Sequence, residues 1–191
     1  MQGPLEPTNE SYAIAKIAGI RLAQSLRQQY GLDVICPMPS NVYGPGDHFE
    51  FERSHVVSAL IRRFLNAKRE NAPSVTLWGT GSARRELLHV DDLASACLFL
   101  LKNYSSSDII NVGTGEDVTI RELAEAIARI VGYAGKLEWD LTKPDGMPRK
   151  LMDVSRLRAL GWQHQINLET GIRSVIEDFE RRYPIESSES L

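Results

Sequence analysis

Nothing in this sequence is both long and apolar. Its longest such run, Leu93 to Leu101, falls well short of the ~20 residues that a helix needs to cross a bilayer, so no membrane association is expected. Met1 to Asn9 is polar and proline-bearing, which does not read as a signal peptide. Cysteine is almost absent. Cys36 and Cys97 stand far apart among apolar neighbours, which excludes a disulfide framework and points to reduced thiols in a cytoplasmic protein. Charge of one sign is not concentrated either: the formal net charge is -3 and the basic residues are dispersed, so no stretch can neutralise several phosphates of a nucleic acid. No His, Cys and Asp spacing suggests a metal site. Phosphate-binding glycine turns are missing too, since Gly113-x-Gly115 lacks the third glycine of a dinucleotide fingerprint and reads as a plain turn.

What is present suffices for a core. Hydrophobic residues make up 42% of the 191, enough for one domain or a little more. Strand and helix patterns alternate, which predicts an α/β architecture. A first helix is predicted from about Glu10 to Gln29, with Ile14, Ile17, Ala18, Leu22 and Leu26 at helical spacing and Gly31 as its stop. Leu32 to Cys36 reads as a short buried strand, and Pro37 to Gly46 as an irregular loop leaving its carboxyl end, where open α/β sheets bind ligands. A second amphipathic helix covers about Ser54 to Ala67, with His55 near its start. Val75 to Trp78 and Glu86 to Val90 read as strands. Asp91 or Asp92 caps a helix from Leu93 to about Lys102 that is apolar on most sides and so expected to be buried. Ile109 to Val112 is a strand, and Thr119 with Glu122 forms a capping box for a helix that ends at Gly132. Then come a strand at Lys136 to Trp139, a turn-rich loop at Lys143 to Lys150, helices near Val154 to Leu160 and Leu168 to Arg182, and a frayed end from Glu186 to Leu191.

The first helix carries the chemistry. Tyr12 and Lys16 lie four residues apart and therefore share one helix face. A fixed positive charge stabilises a phenolate, which suits Tyr12 to general acid/base work, with Lys16 tuning it and holding a cofactor hydroxyl. With six tyrosines in the chain, such a pair also arises by chance on a solvated helix, so the motif alone does not choose.

It does not stand alone. In order along the chain come Tyr12-x3-Lys16, Pro39-Ser40-Asn41-Val42-Tyr43-Gly44-Pro45, His55, Arg63, Trp78-Gly79-Thr80-Gly81, and Arg85-Glu86-Leu87-Leu88-His89-Val90-Asp91-Asp92. Asn111-Val112-Gly113-Thr114-Gly115 and Lys143-Pro144-Asp145-Gly146-Met147-Pro148-Arg149-Lys150 complete the series. This series resembles the extended short-chain dehydrogenase/reductases and, within them, the GDP-L-fucose synthase group of epimerase/reductases, which act on GDP-4-keto-6-deoxymannose. The Tyr/Lys pair and the Asn-x-Tyr-Gly-Pro loop are shared by the whole superfamily; the loop at 143–150 and the position of His55 narrow the choice. The likeness runs from about Leu5 to Arg182.

The resemblance implies a partial Rossmann-like α/β fold. Residues 1–50 would be the remnant of a dinucleotide-binding domain, 51–191 mainly a nucleotide-sugar-binding domain, and 86–112 a return to the Rossmann sheet. It implies Tyr12, Lys16 and His55 as catalytic residues: Tyr12 as proton donor in the hydride step, His55 as the second acid/base working α to the keto group, where imidazole suits the task. Lys16, Pro39, Ser40, Asn41, Val42 and His55 would meet the cofactor, NADP, with the loop at 39–42 against the nicotinamide. Arg63 and Arg85 would meet the diphosphate of a GDP-sugar, Trp78 a base or sugar face, and Asp145 the guanosine. Read from the residues alone, a bland turn, core packing for Trp78 and turn-making for Asp145 stay open. Arg62 and Arg84 are expected to point away and be solvated. A homodimer through the Tyr12 helix is implied as well.

Departures matter. Ser40, Val42 and Met147 stand where the group has Thr, Leu and Thr, and no catalytic serine precedes Tyr12. His55 has no partner cysteine, with Cys36 in a strand and Cys97 in a buried helix. The chain is therefore expected to be the C-terminal part of such an enzyme, with little turnover by itself. A non-catalytic nucleotide-sugar-binding piece that pairs with a separate half is one alternative, and a related NAD-dependent epimerase/dehydratase acting on UDP or dTDP sugars is another. The helix's apolar stripe and an exposed sheet edge predict weak solubility or self-association.

Overall fold

The computed structural model describes residues 3–50 and 54–184; the expected fraying of Glu186 to Leu191 lies outside the described residues. In chain order, α1 (Glu10–Tyr30) leads to strands β1 (Cys36–Pro39) and β2 (Asn41–Tyr43) and then to α2 (Val56–Arg69). Strands β3 (Ser74–Trp78), β4 (Arg84–Arg85) and β5 (Leu87–His89) precede α3 (Val90–Asn103), which is followed by β6 (Ile109–Val112), β7 (Val118–Thr119) and α4 (Ile120–Val131). Last come β8 (Lys136–Asp140), β9 (Arg149–Lys150), α5 (Ser155–Ala159) and α6 (Leu168–Arg182).

Parallel pairing organises the fold. β1 lies beside β6, β2 beside β5 and β3 beside β8, while the short β4 is flanked by antiparallel β7 and parallel β9. Residues from the first fifty thus pair with residues 87–89 and 109–112. Two apolar cores result. One gathers α2, α4 and α6 around β3, with Ile61, Phe64, Leu123, Ile127, Ile172 and Val175 fully buried; the other sets Leu88, Leu100, Ile110, Val112, Leu157 and Trp162 around β5 and β6. α4 has the expected capping box between Thr119 and Glu122, and both α1 and α4 end on left-handed glycines, Gly31 and Gly132.

Three expectations need correcting. The first strand is not Leu32–Cys36 but Cys36–Pro39, which includes two prolines. The Ser40 N–H donates to Val112 O at 2.9 Å, so even-numbered residues of β1 face β6 and the missing N–H groups of Pro37 and Pro39 face the other, unpaired side. α3 is capped by the His89 ring, which accepts from the Asp91 N–H at 3.2 Å, rather than by an aspartate. Asp92 is instead buried, its two oxygens accepting from the Gln165 and Ile166 N–H groups. Nor is α3 buried on most sides: Leu98 and Leu101 are 62% and 69% exposed, because only one stripe of the helix reaches β5. Among the described residues no helix is long and apolar enough to cross a membrane.

α1 is the least embedded helix, with no buried residue along its 21. Its ties lie near its C-terminal end, where Gln24 donates to Ser107 O (2.8 Å) and Arg27 to Ser105 Oγ (2.7 Å) and Asp33 (2.5 Å). The loop after β2 is better held. Asp178 of α6 accepts from the Gly46 N–H (2.9 Å) and from Arg181 and Arg182, Arg182 also donates to Asp47 O, and Ser58 of α2 donates to the Asp47 carboxylate.

The Gly46 N–H, then Arg181 and Arg182, hold the Asp178 carboxyl below the ordinary value of 3.8. Its contribution to stability is therefore complete above that value and is lost as the pH falls through the lower, folded one. We expect D178N to cost about 1–3 kcal/mol in a denaturant melt at neutral pH and to flatten the acid limb of stability against pH. Phe64→Ala, which empties the centre of the larger core, should cost about 3–5 kcal/mol in the same melt.

Candidate functional site

A groove of about 930 Å³ opens where α1, the β1–β2 segment, the start of α2 and β9 converge. Tyr12, Pro39, Ser40, Asn41, Val42, His55 and Arg85 all line it. Tyr12 is 59% exposed, and Lys16 Nζ lies 5.4 Å from its ring centroid, although Lys16 does not line the groove. His55 sits at the N-cap of α2 in extended conformation and makes no cap hydrogen bond, so its imidazole is not committed to the helix. Asn41 spends its amide on Glu86 O at 3.0 Å. The Ser40 hydroxyl is buried and is the one buried side-chain polar atom without a hydrogen-bond partner among the described residues. Such an orphan costs stability unless something fills its valence. Tyr43, the next tyrosine in that segment, is different: burial, then the Asp92 carboxylate, push its phenol well above the usual range, which keeps it protonated.

Strand register adds a residue that sequence reasoning missed. Arg84 pairs with Arg149 and Arg85 with Lys150 across β4 and β9, and side chains of successive residues point to opposite faces. Arg84 and Arg149 meet on one face around Asp117, Nε to Oδ1 at 2.7 Å and Nε to Oδ2 at 2.5 Å. Arg149, then Arg84, hold the Asp117 carboxyl below its usual range. Arg85 and Lys150 accordingly share the opposite face, and both line the groove. Arg85 is steadied by donating to Met147 O at 2.7 Å and Arg84 O at 2.8 Å. Arg84 is thus ion-paired rather than merely solvated, and Arg62 donates to Phe49 O at 2.7 Å, which corrects the expectation for both. The basic pair at 149–150 was visible in the sequence, and both members line the groove, but only register and pairing show that Arg149 is committed to Asp117 while Lys150 stands beside Arg85.

Arg63 and Trp78 line a second groove of about 720 Å³, and Val56 lines both grooves, so the two adjoin. The Lys136 N–H donates to Pro73 O and the Gly79 N–H to Asp140 O, each at 2.9 Å. Odd-numbered residues of β3 therefore face β8, and the backbone of Thr76 and Trp78 faces the second groove. Arg63 donates to Thr76 O there at 2.9 Å. Trp78 is 62% exposed, with Lys143 Nζ 5.8 Å from its ring.

Asp145 lines neither groove. Its Oδ1 accepts from the Thr80 and Gly81 N–H groups and its Oδ2 from the Thr80 hydroxyl, which moors the 143–150 loop to the turn at 79–82. Three of about four acceptor positions are used. A Ser174–His89–Asp91 trio has the look of a nucleophilic triad, but His89 is 3% exposed and its Nδ1 accepts the Asp91 backbone N–H, so it serves as a cap. Gly113 and Gly115 make room rather than hold phosphate: a Cβ on Gly113 would fall on Glu86 Oε1, and one on Gly115 on Arg158 and Val154.

The family model described as the NAD dependent epimerase/dehydratase family matches residues 1–113. The chain belongs to that family. GDP-L-fucose synthase 1 of Arabidopsis thaliana is 59% identical over 168 residues, 88% of this chain and 52% of that protein. GDP-L-fucose synthase of Escherichia coli (strain K12) is 52% identical over 188 residues, 94% and 59% respectively. Among solved structures, MlghC, a GDP-mannoheptose C4 reductase from Campylobacter jejuni with NADP bound, superposes with a TM-score of 0.82 at 33% identity, covering 94% of this chain and 62% of that one. The chain spans somewhat over half the length of the curated relatives it matches. Its α/β architecture with parallel strands is the Rossmann-like fold of the epimerase/dehydratase family.

Thr80 and then Gly81 hold the Asp145 carboxyl below its ordinary 3.8, so the mooring is intact above that value and released as the pH falls through the lower one. Hydrogen exchange of the Thr80 and Gly81 amides should accelerate in D145N at neutral pH, and in the parent chain only under acid conditions.

Proposed function

We propose that this chain supplies the proton-transfer and nucleotide-sugar-binding parts of an NADP-dependent GDP-L-fucose synthase, an epimerase/reductase that converts GDP-4-keto-6-deoxy-D-mannose to GDP-L-fucose. The observation that carries the reading is the one groove lined by both Tyr12 and His55, floored by residues 39–42 and flanked by Arg85 and Lys150. An acid/base pair needs to act on one sugar, and a diphosphate needs cations a few ångströms away.

The nicotinamide cofactor of the family fits here on one specific ground: the unpartnered, buried Ser40 hydroxyl beside Tyr12 offers a hydrogen bond that a polar ring substituent would complete. Lys16 would hold its ribose, and Pro39, Ser40, Asn41, Val42 and His55 its ring. When bound, the group supplies the hydride. His55 would take or return a proton on one face of the carbons beside the sugar ketone; inverting them also requires a donor on the opposite face, the part that the resemblance gives to a cysteine absent from this groove. Tyr12 gives its hydroxyl proton to the ketone oxygen as that carbon is reduced, and Lys16 stabilises the phenolate left behind.

Arg85 and Lys150 hold the diphosphate. The nucleoside extends into the adjoining groove, where Arg63 meets phosphate, Trp78 covers a ring face and the Thr76 and Trp78 N–H groups are available to a base. Asp145 lies outside both grooves, moored to the turn that follows Trp78, and offers its one remaining acceptor position to a guanosine that overhangs the rim there. We place residues 1–50 in the cofactor-binding layer and 51–191 mainly in the sugar-binding layer, with 86–112 returning to the former. A second copy covers the exposed Ile14 and Leu22 of α1, making a homodimer, and the free thiols of Cys36 and Cys97 accord with a cytoplasmic setting.

Calorimetric titration of the 191-residue chain with GDP and with UDP tests the substrate assignment: GDP is expected to bind at least about tenfold more tightly, and a preference for UDP would overturn it. Little NADPH is expected to be consumed with the keto-sugar by this chain alone, since no glycine-rich phosphate turn is encoded in it. In an assembly that turns over, Y12F should lower kcat about 10²–10⁴-fold and leave GDP affinity unchanged.

A further inference from the structure

Glu86 is fully buried, with 0% of its surface exposed, and no cation pairs with it among the described residues. Its oxygens are committed to backbone instead: Oε1 accepts the Gly115 N–H and Oε2 the Met152 N–H, each at 2.8 Å. Its own backbone is committed as well, for its N–H donates to Lys150 O at 3.0 Å and its carbonyl accepts from the Asn41 amide at 3.0 Å. One residue therefore joins the segment at 39–42, the turn at 113–115 and the chain leaving β9. Asn41, Arg85, Lys150 and Met152 line the main groove on either side of it.

We infer that Glu86 is the positioning residue of this groove: the β4–β9 pairing sets Arg85 beside Lys150, and the Glu86 carboxylate, by holding the chain that leaves β9 at Met152, keeps Lys150 in line with Arg85 across the gap into which a diphosphate fits. The inference rests on the nucleotide-sugar reading above. A carboxylate is needed, not merely a polar group of that size. Two N–H donors converge on two oxygens, and a glutamine would turn an NH₂ toward one of them whichever way its amide lay. Losing the Met152 anchor lets the end of β9 drift, and the Lys150 side chain drifts with it. Gly113 is small for the same reason, since a side chain there would displace the carboxylate.

The test is a double-mutant cycle on the 191-residue chain with GDP as the probe, titrated by calorimetry at several salt concentrations below the melting range of every variant. E86Q is expected to weaken GDP about tenfold and to flatten the dependence of affinity on salt, because a displaced cation no longer meets the phosphates. K150A should do the same, and E86Q/K150A should be little weaker than K150A alone, since the glutamate acts through the lysine. Loss of fold without loss of positioning would leave the salt dependence unaltered. Parent-like affinity in E86Q, or losses that multiply in the double variant, would overturn the proposal. If E86Q does not fold, E86D keeps both acceptors on a shorter arm and is read in the same way. A chain that takes up no GDP overturns the nucleotide-sugar reading; exchange of the Gly115 and Met152 amides, slow in the parent and fast in E86Q, then decides separately whether the carboxylate holds those segments.

Discussion

Parallel pairing of β2 with β5 is the constraint from which the groove follows. Parallel strands cannot be joined by a tight turn, so the chain between Tyr43 and Leu87 has to travel out and back, and it does so as α2, β3 and β4. That excursion delivers His55 at the start of α2 and Arg85 just before β5 to the same end of the strands that carries Ser40 and Asn41. The pairing of β1, just before β2 in the chain, with β6 repeats the device and brings in the turn at 113–115. Two of the groove's walls are ends of hydrogen-bonded strands, and the helices α1 and α2 bring Tyr12 and His55 to the others.

Electrostatics divides the site into two levels. Beneath the groove lie acids whose partners are all protein: Asp117 between two arginines, Glu86 on two backbone amides, Asp145 on the turn at 79–82. Above it lie Arg85 and Lys150, which have no carboxylate partner among the described residues. Anion binding is left to the upper level because the lower level has already neutralised its own charges, and the near-balanced net charge of the whole chain conceals that separation.

Locally encoded features were legible from sequence. Gly31 and Gly132 as helix stops, the Thr119–Glu122 box and the amphipathic stripe of α2 each need only a few neighbouring residues to form, and each lies where its pattern puts it. Features set by distant partners were not. Nothing between Leu32 and Pro39 announces which residues pair, since prolines argue against a strand unless their bare sides face away from its neighbour. The exposed side of α3 looks like core because composition does not say how many elements will pack on it. Glu86 is indistinguishable in sequence from a surface acid in a charged run, and Lys150 from Arg149; burial and register separate them. Tyr12, His55 and the residues at 39–42 converge on one groove although 43 positions separate the first from the third member of the set, Tyr12 from His55, and collinear motifs could suggest that convergence but not its geometry.

The prolines of β1 carry a mechanical consequence. Any segment that zips onto the vacant flank of this strand finds carbonyls at Pro37 and Pro39 but no amide hydrogens to return the bond, so the seam it forms has fewer stitches than an ordinary parallel one. Under thermal agitation or pulling force, that seam is where such a sheet parts first, while the β1–β6 side stays closed.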